Sequence, residues 1–437
     1  MQAYRESWRL AWPLILSNLS VPLLGMVDTA VVGHLDSPHH LGAVALGAMV
    51  ASVIYFLFGF LRMGTTALTA QAFGAADRVE TRAALCRALV LAAALGAAVV
   101  AAGPLVTSLA ARLFAPGPDL LAEFRLYLGI RLLGAPAALA NLALLGWLLG
   151  LQDSRRPLLL MLFTNGVNAA LDLLFVFGLG MAAGGVALAT VLAEHSGLAL
   201  GLFVVRPIWR RQGGWPGWPP VLLLDRFRRL LAVNRDLFLR SLMLEAAFLA
   251  FTALGSRQGE LVLAANAILM TFFTAAAYGL DGFAHAAEAL VGRAVGARDR
   301  AGFAAAVRAS FANAALLASL MTLGFALLGG WGIRLMTGLP EVRGLAREFL
   351  PYAVAAPAVS VWAFVFDGVF FGATRTAELR NGMAASLAVF AALAWLLVPP
   401  LGNHGLWLAF LVFLAGRAAI LGLIYRRADG GAAFVPA

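Results

Sequence analysis

Apolar stretches of roughly 20 residues or more, the length a helix needs to cross ~30 Å of hydrocarbon, recur from Leu10 almost to the last residue of this chain. Inside a bilayer every backbone N–H and C=O must find its partner within the protein, so spans of this length fold as helices. Arg, Pro and Gly punctuation separates them near residues 10–33, 41–72, 84–112, 121–150, 157–180 and 184–205, and again near 237–256, 261–293, 301–329, 346–373, 378–399 and 404–425. The reading is an all-α polytopic membrane protein of about 12 transmembrane helices. A composition 62% apolar and 12% charged excludes an ordinary globular surface and leaves little room for an aqueous domain.

The formal charge of +10 would point to nucleic acid in a soluble protein, but a topological origin is better here. All 32 basic residues are arginine, and most lie in alternate turns. Examples are Arg5 and Arg9, Arg78, Arg82 and Arg87, Arg155 and Arg156, Arg375 and Arg380, and Arg426 and Arg427. That bias predicts both termini in the cytoplasm of a multi-pass inner-membrane protein, with an even number of spans and no nucleic-acid partner. The first apolar stretch carries Asn18 and Asp28 and lacks a small-residue cleavage site, so it reads as span one rather than a signal peptide. The single Cys86 can form no intrachain disulfide.

The two halves resemble each other at an offset of about 222. Ala72–Arg78 reads AFGAADR and Ala294–Arg300 reads AVGARDR; Gly146 and Gly150 match Gly368 and Gly372. Pro136 and Pro357, and GVALA at Gly185 and GLWLA at Gly405, match within two positions. Duplication of an even-numbered set of spans predicts two six-helix bundles related by a pseudo-two-fold axis along the membrane normal, with a central cavity. The expected lobes are 1–205 and 237–437. Between them, 206–236 forms a cytoplasmic connector holding RRQGGWPGWPP and the amphipathic segment VLLLDRFRRLL.

An ionisable group at mid-bilayer costs at least ~2.5 to 3.5 kcal/mol, so each such residue needs a partner, water or a proton. Asp28, Asp172 and Glu194 occupy such positions in the first half, with Arg62 and Arg131; Glu245, Asp281, Glu288, Asp367 and Arg417 do so in the second. Asn165, Asn168 and Asp172 recur at i, i+3 and i+7, along one helical stripe that Thr190 on the next span could face. Asp28 follows Pro22 by six residues, where a missing donor can hinge span one. Oxygens so grouped suit a proton shared between carboxyls or a Na⁺ ion, whereas a purely structural reading makes them a packing network. Arg62, Arg131 and Arg417 are candidate partners for the remaining acids. His34, His39 and His40 fall in an outer turn without a second ligand set, and no phosphate-binding glycine loop is present.

Several runs are similar to the multidrug and toxic compound extrusion (MATE) transporters, particularly their DinF-like prokaryotic branch. They are PLLGMVDTAVVGHL from Pro22, TAQAFGA from Thr69, NRDLFLRSL from Asn234, LDGFAHAAEALVG from Leu280 and FDGVFFGATRT from Phe366. The resemblance covers nearly the whole chain. It implies a V-shaped pair of bundles and export driven by inward H⁺ or Na⁺. It also implies a coupling acid at Asp28 with partners Asn168, Asp172 and Thr190, which are also the ligands for Na⁺ if that is the coupling ion. Val21 stands where some relatives carry Gln, and Arg293 where the repeat calls for a counterpart of Gln71. Other branches place acids on the seventh and tenth helices, which here would be Glu245 and Asp367.

The function expected is therefore non-enzymatic: secondary active efflux of amphipathic, often cationic compounds by alternating access, with no cofactor beyond the coupling ion. Pro22 would act as the hinge, and Met26 and Met161 as adaptable cavity wall, alongside Asn165, Glu194, Glu245, Asp281 and Asp367. The partners expected are small substrates and membrane lipid, the chain acting as a monomer. A flippase for lipid-linked precursors is the alternative within transport; it would need a cationic cavity. An intramembrane enzyme would rest on Asp281 after YGL, without the GxGD of such proteases.

Overall fold

A helix keeps its backbone hydrogen bonds to itself, and the apolar runs fold accordingly. The computed structural model describes residues 1–33 and 38–436, and the side chains of all of these except 21–24, 26–30, 32, 33, 38 and 432. Among the described residues every regular element is helical. In chain order they are α1 (Gln2–Gly33), α2 (Pro38–Leu57), α3 (Phe60–Gly74), α4 (Arg78–Phe114), α5 (Pro118–Leu133), α6 (Ala135–Gly150) and α7 (Arg155–Leu173). There follow α8 (Ala182–Arg211), the single turn α9 (Trp218–Val221), α10 (Leu224–Ser256), α11 (Glu260–Gly296), α12 (Arg300–Met336), α13 (Pro340–Gly372) and α14 (Thr376–Arg427).

Among the described residues nine helical stretches are long and apolar enough to cross a membrane, and the bent pair α5 and α6 would make ten. The expected number near twelve is reached because α14 is two helices meeting at Gly402, whose φ of 55° and ψ of −130° are not helical. The other is α1, which runs 32 residues through the first expected span. The span read near 121–150 is bent by 45° between α5 and α6, where Gly134 intervenes and Pro136 brings no N–H. Conversely, the amphipathic segment VLLLDRFRRLL is not a helix of its own. From Leu224 it continues into the next span as α10, since no Pro or Gly interrupts the chain before Gly255.

The internal repeat survives at atomic detail. Asp77 and Asp299 cap α4 and α12 alike, accepting hydrogen bonds from the Glu80 and Gly302 amides at 2.8 Å each. The residues before them, Ala76 and Arg298, are both left-handed, with φ of 55° and 56°. A Cβ on Gly146 would run into the backbone of Arg62, and one on Gly368 into that of Ala284; all four obey the same offset. These glycines let α6 close on α3, and α13 on α11, to backbone contact. Gly146→Val or Gly368→Val should cost on the order of 1–3 kcal/mol or more by overpacking. The check is the melting temperature of the purified protein. Gly324→Ala, where nothing lies within 4 Å, should leave it unchanged or raise it slightly.

The chain divides into two units, one of Met1–Ile15 with Ala232–Ala437, the other Leu16–Leu231. Each thus contains the leading segment of the opposite half of the sequence. In the first, Arg293 donates to Glu6 at 2.7 Å, Asn313 to the Tyr4 carbonyl at 3.1 Å, and Trp8 meets Phe283 edge-on at 4.9 Å. In the second, Arg229 donates to Gln71 at 2.8 Å, while Arg82 and Arg87 hold the carbonyls of Gly214 and Pro220, each at 2.7 Å. Gln71 and Arg293 are repeat partners, so the arginine that breaks the repeat serves Glu6.

The hydrogen bond from Arg293 holds the Glu6 carboxyl below its ordinary range. A depressed folded-state pKa contributes stability above the unfolded value and loses it as pH falls through the folded one. Solvent screening limits this to no more than about 1 kcal/mol. Wild type and Glu6→Gln should therefore differ slightly in melting temperature at pH 7 and converge near pH 3.

Candidate functional site

Helical periodicity puts Asn165, Asn168 and Asp172 on one face of α7, and the last two of them are buried. Asn168 is 1% exposed and Asp172 fully buried. The Asn168 amide donates to the Thr190 hydroxyl at 3.2 Å, and Thr190 donates in turn to the Val186 carbonyl at 3.0 Å. Since the Thr190 proton is already committed, the amide must present its NH₂ to that oxygen, which fixes its orientation. The Asn168 carbonyl oxygen is then buried without a donor among the described residues.

Immediately beyond Asp172, α7 gives way to a π-helical turn, Leu174–Gly178, a local widening frequent at functional positions. At the other end of the stripe Asn165 donates to Ser20 at 2.9 Å. Ser20 donates to the Ser17 carbonyl at 2.6 Å, and the Ser17 hydroxyl meets the Met161 sulfur at 2.7 Å. These serines draw the part of α1 before residue 21 onto α7. Neither was singled out in the sequence; hydroxyls are common enough in apolar helices to carry little signal. The backbones of Pro22, Met26 and Asp28 belong to α1, while their side chains, and all of His34, lie outside the described residues.

Glu194 is committed elsewhere. Arg131 grips it with two bonds, of 2.8 and 3.1 Å, and the guanidinium also lies 4.5 Å over the Tyr55 ring. Asn141 donates to the Glu194 carbonyl at 2.9 Å. Gly134, at the α5–α6 bend, leaves the space this pair fills: an added Cβ would meet the carboxylate.

In the other unit Asp367 lies between two guanidiniums, those of Arg240 and Arg417, the latter at 2.6 Å. All three side chains are buried, with exposures of 5%, 7% and 4%. Asp281 is within electrostatic reach of Arg417. Glu245 is half-buried and forms no ion pair among the described residues. Glu288 is fully buried, 3.9 Å from His285. Sequence reasoning missed Arg240, more than four turns inside α10, because it falls just past the expected connector, where an arginine reads as one more basic residue of the cytoplasmic side. The repeat offers no second copy of the α7 stripe: positions equivalent to Asn168 and Asp172 are Phe390 and Ala394, both buried in apolar core. His40 lies 3.4 Å from Glu123 and His39 4.0 Å from Asp119. Among the described residues no group of three metal-ligating side chains converges.

A protein-family model described as MatE matches residues 13–174 and 237–397. DNA damage-inducible protein F of Escherichia coli (strain K12) is 47% identical over 420 residues, 96% of this chain and 91% of that one. The probable multidrug resistance protein NorM of Caulobacter vibrioides is 31% identical over 316 residues, 70% of this chain and 66% of its own length. Among solved structures, a Vibrio cholerae MATE transporter variant, VcmN, superposes with a TM-score of 0.91 at 20% identity, covering 99% of this chain and 98% of that one. A MATE protein in a bent conformation gives 0.86 at 20% identity over 99% of this chain and 98% of its own. At these identities the structures speak for the fold.

Proposed function

The chain belongs to the MatE family and is a DinF-like membrane transporter, not an enzyme, and from that membership we propose that it exports amphipathic, often cationic compounds by antiport with H⁺ or Na⁺. The observation that carries the reading is the buried Asn168 carbonyl oxygen, which lacks a donor among the described residues, one helical turn from the fully buried Asp172. A cluster rich in acceptors and held from water gains most from a proton or a small hard cation. Asp28 is the acid that takes the ion from outside, with Asn168, Asp172 and Thr190 as its partners. Loading bends α1 about Pro22 and closes the cavity walled by Met26, Met161 and Asn165. Ion and substrate compete for one pocket, which gives each the unequal affinity for two states that alternating access requires.

Both termini are cytoplasmic in this reading, and the chain works as a monomer in the inner membrane. Lipid-linked precursor transport, the rival reading, calls for free cavity cations. Arg131 is held by Glu194 and Arg417 by Asp367, which favours the drug exporter. The test is dye export from proteoliposomes under an imposed pH gradient and, separately, a Na⁺ gradient. Wild type should respond to one of them and Asp28→Asn to neither; an unchanged Asp28→Asn would overturn the proposal.

A further inference from the structure

Far along the sequence from the α7 stripe, in the unit formed by Met1–Ile15 and Ala232–Ala437, a groove of about 650 Å³ lies between α12, α13 and the end of α14. Phe311, Trp362, Phe366, Gly422, Tyr425 and Arg426 line it. A second hollow of about 510 Å³ shares Phe311, Trp362 and Tyr425 with the first and adds Tyr4 and Arg308. The floor is a ladder of rings. Phe311 stacks on Trp362 at 5.9 Å and meets Phe366 edge-on at 4.8 Å, and Phe366 meets Tyr425 at 5.7 Å.

The rim differs in kind. Arg308 and Arg426 are both exposed, and neither forms an ion pair or hydrogen bond among the described residues. Elsewhere in the chain the little-exposed guanidiniums of Arg131, Arg240 and Arg417 each hold a carboxylate. Among the described residues no Asp or Glu lines either hollow, so a lipophilic cation would find no counter-charge there, whereas an anion would meet Arg426 in the first and Arg308 in the second. The rim lies toward the arginine-rich ends of α12 and α14, where headgroups begin, and the ring ladder extends from it along the helices. An arginine at that level reaches the interface while its stem lies along apolar surface.

We infer that this groove binds one anionic glycerophospholipid, its phosphate between Arg308 and Arg426 and an acyl chain along Phe311, Trp362 and Phe366. Guanidinium forks match phosphate oxygens in geometry and charge. A zwitterionic headgroup brings its own ammonium to the same rim and is disfavoured. The leaflet concerned, the cytoplasmic one, rests on the orientation proposed above; the binding itself does not.

Trp362 provides the readout, because a dibrominated acyl chain seated in the groove quenches its fluorescence. Wild type minus Trp362→Phe isolates that signal in nanodiscs of phosphatidylcholine. Brominated phosphatidylglycerol should half-saturate the quenching at a mole fraction roughly 25-fold lower than brominated phosphatidylcholine, from about fivefold for each of the two arginines. R308A/R426A should abolish the preference and R308K/R426K retain most of it. Gly422→Leu keeps both arginines but fills the groove, since even a Cβ there would lie 3.3 Å from Phe366; it should lose the preference as well. Equal quenching by the two lipids, or a preference that survives R308A/R426A or Gly422→Leu, would overturn the inference. So would displacement of the lipid by soluble glycerol phosphate or by tetraphenylphosphonium. Nanodiscs present both leaflets, so an inverted topology would leave these results intact. Vesicles with phosphatidylglycerol confined to one leaflet would show the orientation separately.

Discussion

Asp172→Asn yields a folded protein whose ion-driven dye export falls to the background of protein-free vesicles. Asparagine keeps the size of the side chain and its capacity to accept a hydrogen bond, but it can neither carry a charge nor take up a proton. Asp172 is fully buried, so in the ionised form its neighbours must satisfy it and in the neutral form it must hold a proton; cycling between these is the work assigned to it. Melting temperature should stay close to wild type, which separates lost coupling from lost structure. Thr190→Val provides a graded comparison. It leaves the Asn168 NH₂ without its 3.2 Å acceptor, a cost of about 1–3 kcal/mol, and should weaken coupling without abolishing it. Full activity in Asp172→Asn would reduce the α7 stripe to a packing device.

The second large effect concerns folding. Asp367→Asn strands two buried guanidiniums, those of Arg240 and Arg417, around a neutral amide. Removing one member of a buried ionic cluster costs about 3–5 kcal/mol, because uncompensated charge remains in a low dielectric. Yield of folded protein and melting temperature should both drop sharply. Replacing the whole cluster, as Asp367→Leu with Arg240→Met and Arg417→Met, should recover most of the loss, since well-packed apolar groups often substitute for a buried ionic cluster. A coupling acid at this position behaves oppositely: Asp367→Asn would fold normally and fail only in transport. Thermal unfolding and export on the same preparation tell these apart.

The family resemblance pointed to acids on the seventh and tenth helices as a second coupling set, and the geometry treats them unequally. Glu245 remains half-buried without an ion pair among the described residues, whereas Asp367 already has two cations on one of its oxygens, Oδ2. A site where guanidiniums take the place of Na⁺ is better suited to holding α10, α13 and α14 together than to binding and releasing an ion. Glu194 too is committed to an arginine: its pairing with one of them could be suspected from the sequence, but only the structure shows Arg131 as that partner, in space left by the missing side chain of Gly134.

Hydrophobic length and arginine punctuation determined by themselves that the chain is a helical membrane protein built twice over. Both signals are one-dimensional, since span length is fixed by bilayer thickness and duplication leaves a constant offset. Helical periodicity likewise aligned Asn165, Asn168 and Asp172, because 3.6 residues per turn puts them on one face whatever surrounds them. Only the tertiary structure decided which buried charges are paired, that Ser17 and Ser20 seat α1 on α7, and that each unit takes the leading segment of the opposite half. Those outcomes depend on contacts between residues from 50 to 287 positions apart, where the energy lies in the fit of two surfaces and no local spacing records it.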